Sequence, residues 1–294
     1  MTTTDPSPPD TAPGNPGSPR RAADRSASRI HAVTLHPRTL VTLAIVSLIS
    51  VAAFGWPLLA APTSDAVAHS GDAPLVFALL LPLLIAVVWA EIADGLIDTK
   101  ALAVLGVLAA VGTALRPIGG GIAGLEPVWV LIIIGGRALG PGFGFTLGSV
   151  TLISSALITG GVGPWLPFQM IAAGWVGFGA GMLPRVRSRR GEVLLLAGYA
   201  VLACVAYGFL MNLWFWPFSG GMAAQLSYQA GAPMLDNLQH WLVFSLATSL
   251  GYDIPRAVLT ATLILVAGAP ILGALRRATR RAAFGAPVVF VEAR

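Results

Sequence analysis

The polar residues of this chain fall into narrow bands, and long uncharged apolar stretches run between them. Residues 40–60, 139–159, 167–183, 193–213 and 257–275 hold no Asp, Glu, Lys or Arg. Crossing a bilayer core takes about 20 apolar residues, with a range of about 17–25, so each stretch is predicted as a transmembrane helix. Residues 74–95 add a further span that ends in Glu91 and Asp94. Residues 101–115 form a short one, flanked by Lys100 and Arg116, whose long side chains reach the two interfaces. Residues 125–136 are the shortest apolar run and carry Glu126, which predicts a tilted or broken helix shielded by protein or lining a cavity.

The segments between these spans are rich in turn formers. Residues 116–124 read Arg-Pro-Ile-Gly-Gly-Gly-Ile-Ala-Gly, and residues 160–166 read Gly-Gly-Val-Gly-Pro-Trp-Leu. Trp214-Phe215-Trp216-Pro217 suits a membrane–water interface, and residues 237–250 suit an interfacial or half-inserted helix. The pattern predicts an all-α integral membrane protein of about eight transmembrane helices.

Composition agrees with lipid as the main solvent. Of the 294 residues, 55% are hydrophobic and only 11% charged, where soluble domains carry about 25% charge. The mean hydropathy is +0.78. The 34 glycines suit helices that approach closely in a membrane. A net charge of +5 would fit nucleic acid, but the arginines sit in the tails and at helix ends, so no nucleic-acid partner is expected. The clusters Arg20/Arg21/Arg25/Arg29/Arg38, Arg185/Arg187/Arg189/Arg190 and Arg276/Arg277/Arg280/Arg281 all fall on one side if the spans alternate. The positive-inside rule makes that side the cytoplasm, with both termini inside a plasma membrane and only Arg116 and Arg256 outside. Residues 1–37 lack an apolar run and are expected to form a disordered cytoplasmic tail, not a signal peptide. Residues 38–97 then form an N-terminal helix pair, residues 98–281 a six-helix domain, and residues 282–294 a cytoplasmic C-terminal tail. Cys204 stands alone in an apolar stretch and reads as a buried small hydrophobe.

Neither energy conversion nor catalysis is legible. A phosphate-binding P-loop needs a lysine after its glycines, and residues 119–124 have none. Gly140-x-Gly142-x-Gly144 opens an apolar span, which favours helix packing over dinucleotide binding. Ser154-Ser155 lies within a span without a nucleophile motif, and His31, His36, His69 and His240 lack the spacing of a metal pair. No enzyme activity, cofactor or metal is expected. Glu91 and Asp94 share a helix face near one end and suit either a coupling site or solvated helix-end acids. The outer ends of the last six helices gather the binding chemistry: Arg116, Glu126, Trp129, Trp165, Gln169, Tyr207, Asn212, Trp214 and Trp216. Aromatic rings there can sandwich a planar group, while Arg, Gln and Glu fix its polar atoms. Bland alternatives stand beside this reading. Trp214 and Trp216 also suit an aromatic belt facing lipid headgroups, Arg116 and Glu126 can pair with each other, and Gln169 can serve an interhelical hydrogen bond.

Residues 101–281 resemble the substrate-specific (S) component of energy-coupling factor (ECF) transporters. The run from Glu126-Pro127 through Leu139-Gly140-Pro141-Gly142-Phe143-Gly144 is similar to that family's helix, Gly-Pro turn and Gly-rich next helix. Gly163-Pro164-Trp165-Leu166-Pro167-Phe168-Gln169-Met170, followed by Gly174, Gly177 and Gly181, is similar to its fourth helix. The N-terminal helix pair departs from the pattern. The resemblance implies capture of a vitamin-like micronutrient outside the cell, with uptake powered by a T component and two separate ABC ATPase subunits. It also implies that Gly106, Ala110 and Ala114, four apart on one helix face, dock onto the T component; packing within the chain is the other use of such spacing. A self-contained proton- or ion-coupled secondary transporter, with Glu91, Asp94 or Glu126 as the coupling acid, is the alternative.

Overall fold

The computed structural model describes residues 37–59, 82, 85–86, 89–90, 99–119, 124–219 and 222–282. Eight α-helices carry the described chain: α1 Pro37–Leu59, α2 Thr99–Leu115, α3 Val128–Leu139, α4 Pro141–Thr159, α5 Leu166–Met182, α6 Arg189–Phe215, α7 Met234–Thr248 and α8 Leu250–Ala282. Five of them, α1, α2, α4, α6 and α8, are long and apolar enough to cross a membrane. The predicted N-terminal tail before residue 37, most of the span at 74–95 with Glu91 and Asp94, and the C-terminal tail lie outside the described residues.

Helix α3 is the axis of the bundle. It has only 12 residues, about 18 Å at 1.5 Å per residue, too short to cross a bilayer alone. Protein surrounds it instead: Trp129, Ile132, Ile133 and Ile134 are all buried. They share a core with Phe168, Ile171 and Ala172 of α5, Leu196, Ala200 and Cys204 of α6, and Ile264 and Leu272 of α8. A second apolar cluster joins Leu43 and Val46 of α1 to Leu105 and Leu108 of α2 and Phe143 and Phe145 of α4.

Glycine sets how closely the inner helices approach. A Cβ added at Gly144 would run into the Gly177 backbone, and one at Gly177 into the Gly144 carbonyl. Gly136 meets the same Gly177 carbonyl, so α3, α4 and α5 touch backbone to backbone at one level. The Gly140 region therefore does serve helix packing: Gly140 links α3 to α4 with φ 107°, a conformation that favours glycine. Ser149 seals the α4–α5 contact by donating to the Met170 carbonyl at 3.1 Å.

Two helix starts move outward from the sequence expectation by four residues or more. Helix α6 begins at Arg189, not 193, because the Ser188 hydroxyl accepts from the Gly191 N–H at 2.9 Å and caps the helix earlier. Helix α8 begins at Leu250, not 257. The Ser249 carbonyl accepts from the N–H groups of Tyr252 and Asp253 at 2.9 and 3.0 Å. The extension carries Pro255 within the helix and turns Asp253 and Arg256 into helical residues.

Helix α1, upstream of the six-helix region, packs into the bundle. Phe54 meets Phe168 edge-on at 5.0 Å, and the Trp175 indole of α5 donates to the Ser47 hydroxyl at 2.9 Å.

Candidate functional site

The short connections between α2 and α6 make successive helices antiparallel, so the bundle has two ends. One end gathers the end of α2, the starts of α3, α5 and α8, and the ends of α4 and α6. The outer-end residues selected from the sequence lie here, in three groups.

Arg116 follows α2 directly. Its guanidinium donates to Gln169 Oε1 of α5 at 3.1 Å and to the Ser155 hydroxyl of α4 at 3.4 Å. Both partners are neutral, so the contacts orient the cation without compensating its charge.

Glu126 and Trp129 form the second group, with Tyr207. Glu126 Oε2 accepts from the Trp129 indole N–H at 2.8 Å and from Arg256 Nε at 3.0 Å. Arg256, not Arg116, is thus the ion-pair partner of Glu126. Arg256 also pairs with Asp253 at 2.7 Å, and Asp253 accepts from the Ser249 hydroxyl at 2.5 Å. The guanidinium lies 5.3 Å from the Tyr207 ring centroid and 5.9 Å from that of Trp129, and those rings are 4.3 Å apart. Such cation–π contacts suit arginine, whose flat charge tolerates desolvation better than an ammonium. Gly208 makes room for Asp253, since a Cβ there would strike its carboxylate.

Trp165 and Trp214 form the third group. Their rings meet edge-on at 6.1 Å, and Trp214 also contacts Phe168 at 6.0 Å and Phe218 at 5.8 Å. The Trp214 indole nitrogen is buried and has no hydrogen-bond partner among the described residues. Trp216 is fully buried and donates to the Leu226 carbonyl at 2.7 Å. It pins the segment after α6 rather than facing lipid headgroups. Asn212 stands apart, donating to the Ser245 hydroxyl of α7 at 3.2 Å.

Arg116, Glu126 and Arg256 line a cavity of about 260 Å³ with Ser155, Thr159 and Tyr252, whereas Gln169, Trp129 and Tyr207 stand behind these residues and outside that lining. Arg256 and Tyr252 also border a second space of about 330 Å³ with Tyr207, Asn212, Asp253 and Phe244. The first cavity presents two cations and one carboxylate, and among the described residues Arg116 has no acidic partner. It can hold a small molecule through an acceptor oxygen at Arg116 and polar atoms at Glu126, Ser155 and Thr159.

Sequence reasoning missed Arg256, Asp253, Tyr252 and Ser155. Arg256 carried a signal, being one of only two arginines that the sequence pattern assigns to the outer side and three residues after an acid on what proves to be a helix. Ser155 carried none, because a serine in an apolar span reads as packing.

The small-residue face of α2 is exposed at Gly106, Ala110 and Ala114, and a Cβ added at Gly106 would meet nothing within 4 Å. No group of His, Cys, Asp and Glu able to hold a metal ion occurs among the described residues. Cys204 is buried, its thiol 3.7 Å from the Thr260 hydroxyl.

A family model described as the substrate-specific component of ECF transporters matches residues 100–268, more than half of the chain. No curated protein and no solved structure matches the chain.

Proposed function

The chain belongs to the family of substrate-specific components of ECF transporters, and we propose that it captures a vitamin or related micronutrient in the cavity beside Arg116 and delivers it to an importer driven by separate ATPase subunits. Family membership makes it a multi-pass membrane protein and the substrate-binding partner of ECF T and ATPase subunits. In this reading both termini lie in the cytoplasm and the cavity beside Arg116 opens outside the cell.

The observation that carries it is Arg116. This cation borders a cavity, is oriented by two neutral side chains, and has no carboxylate to balance it among the described residues. A ligand carboxylate or strongly polarised carbonyl supplies that balance. Arg256 already shares its charge with Glu126 and Asp253 and serves as a wall, lying over the Trp129 and Tyr207 rings. Trp165 and Trp214 offer aromatic rings at the same end, and Gln169 holds Arg116 in place. The exposed Gly106/Ala110/Ala114 face of α2 supports docking on the T component, because close helix crossing needs small side chains facing outward.

The test is purification in mild detergent from the native host, with mass spectrometry of partner chains and of any bound small molecule. Recovery of a T subunit, ATPase chains and a carboxylate-bearing micronutrient is the expected result. Recovery of the chain alone, with gradient-dependent and ATP-independent uptake in liposomes, overturns it in favour of a secondary transporter.

A further inference from the structure

The end of the bundle opposite the cavity beside Arg116 holds a third space with its own chemistry. A cavity of about 340 Å³ opens between the start of α6 and the last turns of α8, lined by Arg187, Arg189, Arg276, Arg277 and Glu192 over the apolar floor of Val193 and Leu272. Glu192 is the only acid in that lining, and its oxygens are already engaged. Arg276 binds it through both terminal nitrogens, at 2.8 and 2.6 Å, and Arg137 donates to it at 2.8 Å. Arg187, Arg189 and Arg277 are exposed and form no ion pair among the described residues. The cavity therefore presents uncompensated guanidinium groups at its rim and apolar side chains at its floor. It also sits at the first turn of α6, whose helix dipole adds positive potential.

We propose that this cavity binds a phosphate group carried by an anionic phospholipid, with Arg187, Arg189 and Arg277 around the phosphodiester and the acyl chains leaving along the α6–α8 groove. Guanidinium groups match phosphate oxygens in geometry and charge. The apolar floor suits a ligand whose headgroup and chain meet at that depth. Basic pockets between membrane helices at the bilayer surface are suited to such headgroups. Free phosphate shares the recognition chemistry and lacks the chain. The site does not depend on the micronutrient cavity, which lies at the other end of the same helices.

The experiment uses the full-length chain in mild detergent and reads its unfolding midpoint and, by native mass spectrometry, its bound lipids. The probes are phosphatidylglycerol, phosphatidylcholine and millimolar inorganic phosphate. Phosphatidylglycerol is expected to raise the midpoint and be retained, and phosphatidylcholine to do neither. The double variant Arg187→Gln/Arg277→Gln should weaken apparent affinity for phosphatidylglycerol at least about thirtyfold, since each lost hydrogen bond to a charged phosphate is worth about tenfold or more. The control Arg185→Gln/Arg190→Gln removes the same charge from exposed positions off the cavity and should change affinity by less than about threefold. Protection by inorganic phosphate that is lost in Arg187→Gln/Arg277→Gln supports the phosphate site but overturns the lipid as its source. Equal loss in both double variants, or equal response to phosphatidylglycerol and phosphatidylcholine, overturns the site. All four arginines are exposed, so neither double variant removes a buried contact.

Discussion

At one end of the bundle an arginine is held by two carboxylates; at the other a carboxylate is held by two arginines. Arg256 pairs with Glu126 and Asp253 beside a cavity where Arg116 is left uncompensated. Glu192 pairs with Arg137 and Arg276, and Arg137 also donates to the carbonyls of Leu183 and Pro184 at 2.7 and 3.0 Å. The second arrangement ties α3, the link after α5, α6 and α8 into one knot, with Arg137 and Glu192 both more than nine-tenths buried. The first leaves polar capacity facing open space. The same residue types thus make a staple around Glu192 and a proposed binding surface around Arg116, and the difference between these two groups is whether each of their charges has found a partner within the chain.

The largest effect should come from cutting the staple. Glu192→Ala leaves buried Arg137 and half-buried Arg276 facing each other without a counter-charge. Breaking a buried ion pair from one side costs about 3–5 kcal/mol. The expected outcome is a strongly lowered unfolding midpoint in detergent, or failure to recover monodisperse protein, with Glu192→Gln milder because it keeps an acceptor. A wild-type midpoint in Glu192→Ala would show that the knot does not hold the helices.

Arg256→Met comes next, at about 2 kcal/mol. Its partners are better served when it goes: Glu126 keeps the Trp129 indole and is 29% exposed, and Asp253 keeps the Ser249 hydroxyl. This variant should also lose substrate binding, because Glu126 and the Trp129–Tyr207 pair lose the group that orders them. A stability loss as large as that of Glu192→Ala would erase the distinction between the ends and make Arg256 a staple as well.

Arg116→Gln should separate binding from folding most cleanly. Its two hydrogen bonds go to neutral partners at 3.1 and 3.4 Å, so stability should fall by about 1 kcal/mol or less. Substrate affinity, read by calorimetry with the co-purified molecule, should fall about tenfold or more, since a hydrogen bond to a charged group is worth about 1.5–3 kcal/mol. A large stability loss with unchanged affinity would return Arg116 to a structural role.

How much of this was legible in the sequence follows from the kind of signal involved. Apolar runs place helices through their length, and α1, α2, α4 and α5 sit within a few residues of their runs. Family likeness was legible in the Gly-Pro turn around Gly140 and the glycines of α5, whose backbone contacts no larger residue allows. Helix starts were less legible, because capping by Ser188 and the turn at Ser249 extend α6 and α8 through charged residues that read as loop. The pairing of charges was not legible at all. Glu126 and Arg256 are 130 positions apart, and which arginine reaches Glu126 depends on helix packing that no local pattern encodes. The aromatic residues divided in the same way. Trp214 and Trp216 look alike as interface anchors, yet Trp216 is tied to the Leu226 carbonyl while the Trp214 indole nitrogen has no acceptor among the described residues.

That last contrast yields the smallest and most discriminating effect. A buried donor without a partner costs free energy, so Trp214→Phe removes an unfavourable group while keeping a ring against Trp165 and Phe168. The unfolding midpoint of the ligand-free protein should therefore stay level or rise slightly, a change within about 0.5 kcal/mol. Trp216→Phe, in contrast, breaks a bond to the Leu226 carbonyl and should lower the midpoint by about 1 kcal/mol. Substrate affinity then decides what the Trp214 nitrogen is for. A severalfold loss in Trp214→Phe with unchanged stability means that the ligand accepts this N–H, which extends the binding surface from Arg116 to the Trp165–Trp214 pair. Unchanged affinity confines recognition to the Arg116 cavity and leaves the tryptophan pair as packing between α5 and α6.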